Sequence, residues 1–422
     1  MLKSIIFKIS AVLILLFLIF LFYYNYTQHY SDNKNRKIQV TFWTLQLGTF
    51  DSYVNNIIDE FERNNSDIKI KWIDVPYSEG EKRTLAAILS DNPPDLINLT
   101  PDFSMMLAQK NTLYEIKPQY LKNYIPAVNN SLKFDNKYFG IPFYVTSPVT
   151  LYNKALYNKN GISTYNELFL TVPDKNSYIT MLNFSENDTL LKLLNKYNIN
   201  SPSSIKSVKS IELFKTFKRL YDKGYIPRES VTQNHRDSLE KYMSGQLYFL
   251  VTGANFLNMI KENAPDIYKN TGILPQLTGD NGFYDFSLMN FVIPKKSKNP
   301  DAALNFALFF TNKKNQLDFA KLTPILPANN CALKDSYFVD NSKKFETDNN
   351  YIKYIINSDI DITIKARMIS AWQLNNLQPG SIDIKKKKDL NTLSSNYIQK
   401  ILINNEDIKN TLSEFAQEWE NL

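Results

Sequence analysis

The stretch Tyr138–Ile162 constrains the fold more than any other part of this 422-residue chain. An apolar run broken by Gly140 and Pro142 reaches Val145, crosses Ser147-Pro148, and resumes as Val149–Tyr152. Proline gives a sheet no N–H and is tolerated at strand ends, not in central strands. Two strand-like runs joined without a helix, each beside a proline, predict a segment that leaves one sheet and enters another. A chain that crosses between sheets builds two lobes, and the gap between lobes is where a ligand is expected. Gly272–Pro275 predicts a second crossing and the polar run Thr311–Asn315 a third.

From Ile38 to Lys110 strand and helix alternate. Ile38–Trp43 predicts a strand, and Val54, Ile57, Ile58 and Phe61 fall on one helix face. Ile68, Ile70 and Trp72 alternate with polar residues as a half-exposed strand. Ser78-Glu79-Gly80-Glu81 reads as a capping box ahead of Leu85, Ile88 and Leu89. Asn92-Pro93-Pro94 turns the chain into a short buried strand, Asp95–Leu99, and a helix follows from Phe103. Such alternation predicts a parallel sheet with right-handed crossovers, whose ligands bind beyond the carboxyl ends of the strands. Farther on, Val208, Ile211, Phe214, Phe217 and Leu220 predict another helix face, and Leu247–Val251 a buried strand. Asn299-Pro300 starts a helix lined by Ala303, Phe306 and Phe310. The expected fold class is α/β with two lobes, each a mostly parallel sheet flanked by helices, joined by hinge strands.

Several function classes are disfavoured by composition. Cys331 is the sole cysteine, so no internal disulfide forms, and only His29 and His235 are available to a metal site or a catalytic triad. His235 reads as part of a solvated polar loop, Thr232–Asp237. No metal or cofactor is expected. The net charge of +7 is spread, apart from Lys385–Lys388, and gives no nucleic-acid footprint. At the N-terminus, Lys3 and Lys8 precede an uncharged apolar run, Ile9–Tyr24, close to the roughly 20 residues that span a bilayer. Tyr23, Tyr24 and Tyr26 suit a membrane interface. No small-residue cleavage site follows, so an uncleaved signal-anchor is expected over residues 1–27, with a cleaved signal peptide as the alternative and 28–37 as a linker. The lobes are assigned to 38–143 plus 272–311 and to 144–271 plus 312–422.

A series of segments in order now resembles a known family. These are Thr41–Thr44 (TFWT), Asp59–Ile73 (DEFERNNSDIKIKWI), Ile88–Leu99 (ILSDNPPDLINL), Gly140–Ile162, Tyr242–Phe256 (YMSGQLYFLVTGANF), Val292–Ala320 and Leu322–Asn330 (LTPILPANN). Together they resemble the extracellular solute-binding protein family 1, the sugar-binding components of bacterial ABC importers, which includes the maltodextrin-binding proteins. The chain departs from the family pattern in three places. It has no lipid-attachment cysteine, Asn255 stands where a tryptophan is usual, and the tail after Leu333 matches weakly.

The resemblance implies two lobes that close by a hinge on a carbohydrate, probed by aromatic rings on its CH face and by polar groups on its hydroxyls. By position after the strands, the expected contacts are Trp43, Thr44, Gln46, Tyr77, Glu79, Asp102 and Phe103 in the first lobe. Tyr144, Thr146, Asn255, Phe256 and Trp372 are expected from the second, with Trp372 as the main ring platform. Asp102 aligns with a family carboxylate that bonds sugar hydroxyls. Trp72 and Trp419 are expected to be core. The implied protein is a monomer outside the cytoplasmic membrane, in the periplasm or at the cell surface, that delivers its sugar to permease subunits and catalyses nothing. A ligand sensor coupled to a membrane signalling partner, or a glycan-active enzyme with two opposed carboxylates, is the alternative.

Overall fold

The computed structural model describes residues 37–159, 161–186, 188–339, 349–377 and 384–422. The expected N-terminal anchor and linker lie outside the described residues. Among the described residues no helix is long and apolar enough to cross a membrane. The chain divides into two compact units, Met1–Ile97 with Lys296–Phe306, and Asn98–Lys295 with Ala307–Leu422.

In the first unit, β1 (Ile38–Leu45) runs parallel to β2 (Ile68–Val75) in register from Ile38↔Ile68 to Leu45↔Val75. β3 (Leu96–Leu99) pairs parallel to β1 at Phe42↔Leu96 and Trp43↔Ile97. Between β1 and β2 lies α1 (Asp51–Asn64), which buries Tyr53, Val54, Ile57, Ile58 and Phe61, the face its 3.6-residue periodicity predicts. Phe306 seals this face, edge-on to Phe61 at 5.0 Å and to Phe42 at 5.2 Å. The helix α2 (Tyr77–Leu89) departs from the predicted capping box. Its N-cap is Pro76, without a side-chain cap bond, so Ser78 already lies inside the first turn. Proline's fixed φ turns the chain into the helix two residues earlier than the Ser-x-x-Glu pattern suggests.

The second unit holds the crossing. β4 (Ile141–Thr146) and β5 (Val149–Asn153) are separated only by Ser147-Pro148 and belong to different sheets. β4 pairs antiparallel with β8 (Ser287–Val292) and with β9 (Leu326–Pro327). β5 is the centre of a three-stranded sheet between β6 (Phe249–Thr252) and β7 (Thr271–Pro275), antiparallel to both. The expectation of a mostly parallel sheet in each lobe therefore fails for this one. β5 enters from the crossing, whereas β6 and β7 arrive from helices and end opposite Val149, at Thr252 and Pro275. A strand fed directly from another sheet must run against strands fed from the opposite end.

The sheet separates two cores, as period-2 alternation requires. Val149, Leu151, Leu250 and Ile273 join one cluster, which includes Trp372. Phe249 and Leu274, with Tyr152 packed against them, join the other, which includes Trp419. The helix α5 (Val208–Asp222) buries Phe214, Phe217 and Leu220 as predicted, but Val208 is exposed because it is the first helical residue after the Ser207 cap. Thr311–Asn315, read as a crossing, is a helix junction in which Asn312 caps Lys313–Leu322. The remaining helices that matter to the site are α3 (Pro101–Gln109), α4 (Thr189–Lys196), α6 (His235–Met243), α7 (Phe256–Asn263), α8 (Ile362–Gln373), α9 (Ile384–Leu402) and α10 (Ile408–Asn421).

Candidate functional site

In the first unit the predicted residues gather at the carboxyl ends of β1 and β2. Register places Thr44 opposite Asp74. The Thr44 hydroxyl donates to Asp74 Oδ1 at 2.7 Å and accepts from the Trp72 indole at 2.8 Å. Asp74 also accepts the Leu47 and Gly48 amides at 2.9 and 2.8 Å. Thr44 is thus a buried structural link whose proton is already committed. The loop it anchors presents Gln46, exposed, at φ 54, a left-handed conformation that a non-glycine residue adopts only where its surroundings enforce it. Trp43 is half-buried, and its indole N–H has no partner. Tyr77 stands exposed at the first position of α2, and Glu79 pairs with Arg83 at 3.3 Å.

The second unit carries three further groups. The first surrounds Asp102 in the opening turn of α3. Lys387, on α9, places its ammonium 2.7 Å from Asp102 Oδ2 and 3.0 Å from Asp188 Oδ2. Lys192 takes Asp188 Oδ1 at 3.0 Å. Burial pushes the Asp188 carboxyl up, but the Lys192 and Lys387 ammonium groups outweigh it and hold the group below its ordinary value. Burial likewise pulls the Lys387 ammonium down, and Asp188 and Asp102 together raise it above its ordinary value. Both groups stay charged at neutral pH. Phe103, beside Asp102, is buried core.

The second group lies at the end of β6. His235 Nε2 is 2.9 Å from the Thr252 hydroxyl, its ring is edge-on to Phe256 at 5.3 Å, and its backbone N–H donates to Glu186 Oε2 at 2.8 Å. The solvated-loop reading of His235 is therefore corrected. It is the first residue of α6, and Asn234 and Asp237 form a reciprocal capping box around it. Burial lowers the His235 pKa. Phe256 is half-buried and Asn255 exposed. The Asn255 side chain folds over Gly253, where a Cβ would meet its Oδ1 at 2.3 Å, so a larger residue there would displace the Asn255 amide.

The third group is the crossing itself. Gln373, fully buried at the end of α8, donates to the Ser147 hydroxyl at 2.8 Å and to the Pro148 carbonyl at 2.7 Å, and accepts the Gln276 N–H at 2.6 Å. Gln276 and Asp285 bond each other reciprocally, at 2.6 Å and 3.3 Å. Asp285 Oδ2 pairs with buried Lys196 at 2.9 Å. One amide thus ties the β4–β5 link to the β7–β8 link. Tyr144 and Thr146 line β4 just before this point, half-buried, with Tyr144 edge-on to Phe143 at 5.0 Å. Trp372, next to Gln373, is only 8% exposed and lies 5.7 Å from the Tyr284 ring. Its ring is therefore part of the core, not the open platform expected of it.

Sequence reasoning did not single out Lys387, Asp188, Lys196 or Gln373, and it took His235 for a loop residue. Asn-x-x-Asp at 234–237 was a readable helix start. Lys387 was hidden in a lysine run that reads as a solvated face. Among the described residues no group of His, Cys, Asp and Glu is placed to hold a metal ion.

Comparison with known proteins bears on this arrangement. The family profile described as bacterial extracellular solute-binding protein matches residues 56–349. The chain is 22% identical over 314 residues to the diacetylchitobiose binding protein DasA of Streptomyces coelicolor, covering 68% of this chain and 72% of that one. It is 23% identical over 318 residues to the maltodextrin-binding protein MdxE of Bacillus subtilis, covering 68% and 72%. Among solved structures it resembles the sugar-binding protein MalE of Xanthomonas citri, with a TM-score of 0.71, 17% identity, and coverage of 91% and 96%. The fold class is that of the MalE-like periplasmic binding proteins.

Proposed function

We propose, from the premise that the chain belongs to the bacterial extracellular solute-binding protein family, that it captures a carbohydrate outside the cytoplasm and delivers it to an ABC importer. The observation that carries the reading is the Asp102 carboxylate. It stands in the first turn of α3 with one oxygen held by Lys387, and among the described residues nothing else bonds it. A carboxylate held in place and left exposed is a strong acceptor for sugar hydroxyls. The exposed Tyr77 ring and the Phe256–His235 pair supply faces for the apolar side of a pyranose, and Gln46, Glu79 and Asn255 supply further polar contacts. Trp43, Tyr144 and Thr146 complete the proposed set, and Trp372 contributes as buried support. Thr44 and Phe103 act behind it, by holding the loop and the helix.

Relatives named for diacetylchitobiose and maltodextrin support a saccharide ligand. The closing motion is proposed to hinge at Ser147-Pro148 and at the β7–β8 link, where the chain passes between the sheet of β4 and the sheet of β5. The apolar run Ile9–Tyr24 is proposed to hold the protein at the outer face of the membrane, and the chain is proposed to act as a monomer without breaking bonds.

The test is a thermal-shift screen followed by calorimetry against maltodextrins, chitooligosaccharides and monosaccharides. A saccharide that binds only the folded state raises the melting point, by mass action. No shift with any sugar, or hydrolysis products in the calorimeter cell, would overturn the reading. Recovery of a signalling protein in place of permease subunits in a crosslinking pull-down would leave the ligand class standing and replace the transport role.

A further inference from the structure

The ion pairs around Lys387 are unequal, and the inequality has a use. Asp188 is saturated, with Oδ1 on Lys192 and Oδ2 on Lys387. Asp102 is not, since Lys387 takes only its Oδ2. Exposure follows the same order, with the Asp102 side chain 55% open against 22% for Lys387 and 20% for Asp188. Asp188 and Lys192 therefore form a fixed base, Lys387 stands on it, and Asp102 is the outward end of the chain. Among the described residues Lys387 is the one group that bonds the Asp102 carboxylate, so no amide of α3 sets its rotamer. Lys387 does.

We propose that Lys387 is a positioning residue for ligand capture: anchored by Asp188, it holds Asp102 so that Oδ1 faces outward to accept a sugar hydroxyl. This deepens the proposed function and rests on it. A carboxylate already ordered in the empty protein loses less rotamer freedom when the ligand arrives, which appears as affinity. The same pair ties α9 to the first turn of α3. It gives Lys387 a role that solvation alone does not.

The test is a double-mutant cycle by calorimetry, using maltotriose or N,N′-diacetylchitobiose, whichever binds the wild-type protein more tightly. Lys387→Met should weaken binding about five- to tenfold, the range that one newly mobile polar side chain produces. Asp188→Asn should weaken it by less, because Lys387 then keeps a single anchor. In an Asp102→Asn background, Lys387→Met should add nothing, since its effect passes through the lost carboxylate. Lys387→Arg, which restores the cation, should recover most of the affinity. Circular dichroism melts of each variant establish folding before titration. Unchanged affinity in Lys387→Met, or the same loss in both backgrounds, overturns the proposal while leaving the carbohydrate reading intact. If Asp102→Asn itself binds as tightly as wild type, the failure lies in Asp102 as a sugar contact, and the role of Lys387 falls with it.

Discussion

Gln373→Met isolates the buried amide at the crossing. Methionine matches glutamine in length and flexibility, so the core keeps its packing and loses only polar contacts. Three bonds disappear, one from the Gln276 N–H and two to Ser147 Oγ and Pro148 O. Ser147 keeps its bond to the Asp285 carbonyl at 3.2 Å, so it loses little. The Gln276 N–H is buried, and among the described residues the Gln373 amide oxygen is the acceptor it has. An orphaned buried donor costs roughly 1–3 kcal/mol, and the half-exposed Pro148 carbonyl about 1 kcal/mol, for a total near 3 kcal/mol. At ~2.1 cal/mol/K per residue, a 422-residue chain that unfolds in one step has an unfolding entropy of about 0.9 kcal/mol/K. The melting temperature should then fall by about 3 °C in calorimetry. Hydrogen exchange supplies the local readout, because the Gln276 amide should lose its protection while amides in the middle of β1 and β2 keep theirs. A melting point within about 1 °C of wild type, with Gln276 still protected, would refute the claim that this amide holds the two links together.

Other perturbations follow from the same geometry. Lys196→Met leaves Asp285 without its buried counter-ion, and the cost should be about 3 kcal/mol in urea unfolding, partly recovered by adding Asp285→Asn. Burial holds the folded-state pKa of His235 below its usual 6.5. As pH falls through that value the unfolded chain takes the proton first, so stability is complete above 6.5 and declines below it. His235→Gln, which can still bond Thr252, should flatten the urea-unfolding profile between pH 8 and 5; an unaltered slope would place the titrating group elsewhere. Thr44→Val removes the acceptor of the Trp72 indole and a donor to Asp74, and should cost about 1–2 kcal/mol in urea unfolding. If its stability were untouched while sugar affinity collapsed, Thr44 would be a ligand contact and not a link in the loop.

The parts of this protein that sequence alone determined are those decided within a few residues. The α1 face, the β1–β2–β3 alternation, the helix from Pro300 and the Ser147-Pro148 crossing each depend on a local period or on what proline forbids. The family resemblance was legible for the same reason, as short segments in a fixed order. Tertiary structure decided strand direction around β5, because that depends on which end of the sheet the chain enters from. It also decided which polar residues matter. Lys387 and Asp102 are 285 positions apart, and Gln373 and Ser147 are 226 apart. No spacing rule connects such residues. A charge or an amide acquires its role from the partner that packing brings within 3 Å, and in one dimension that lysine is indistinguishable from its neighbours.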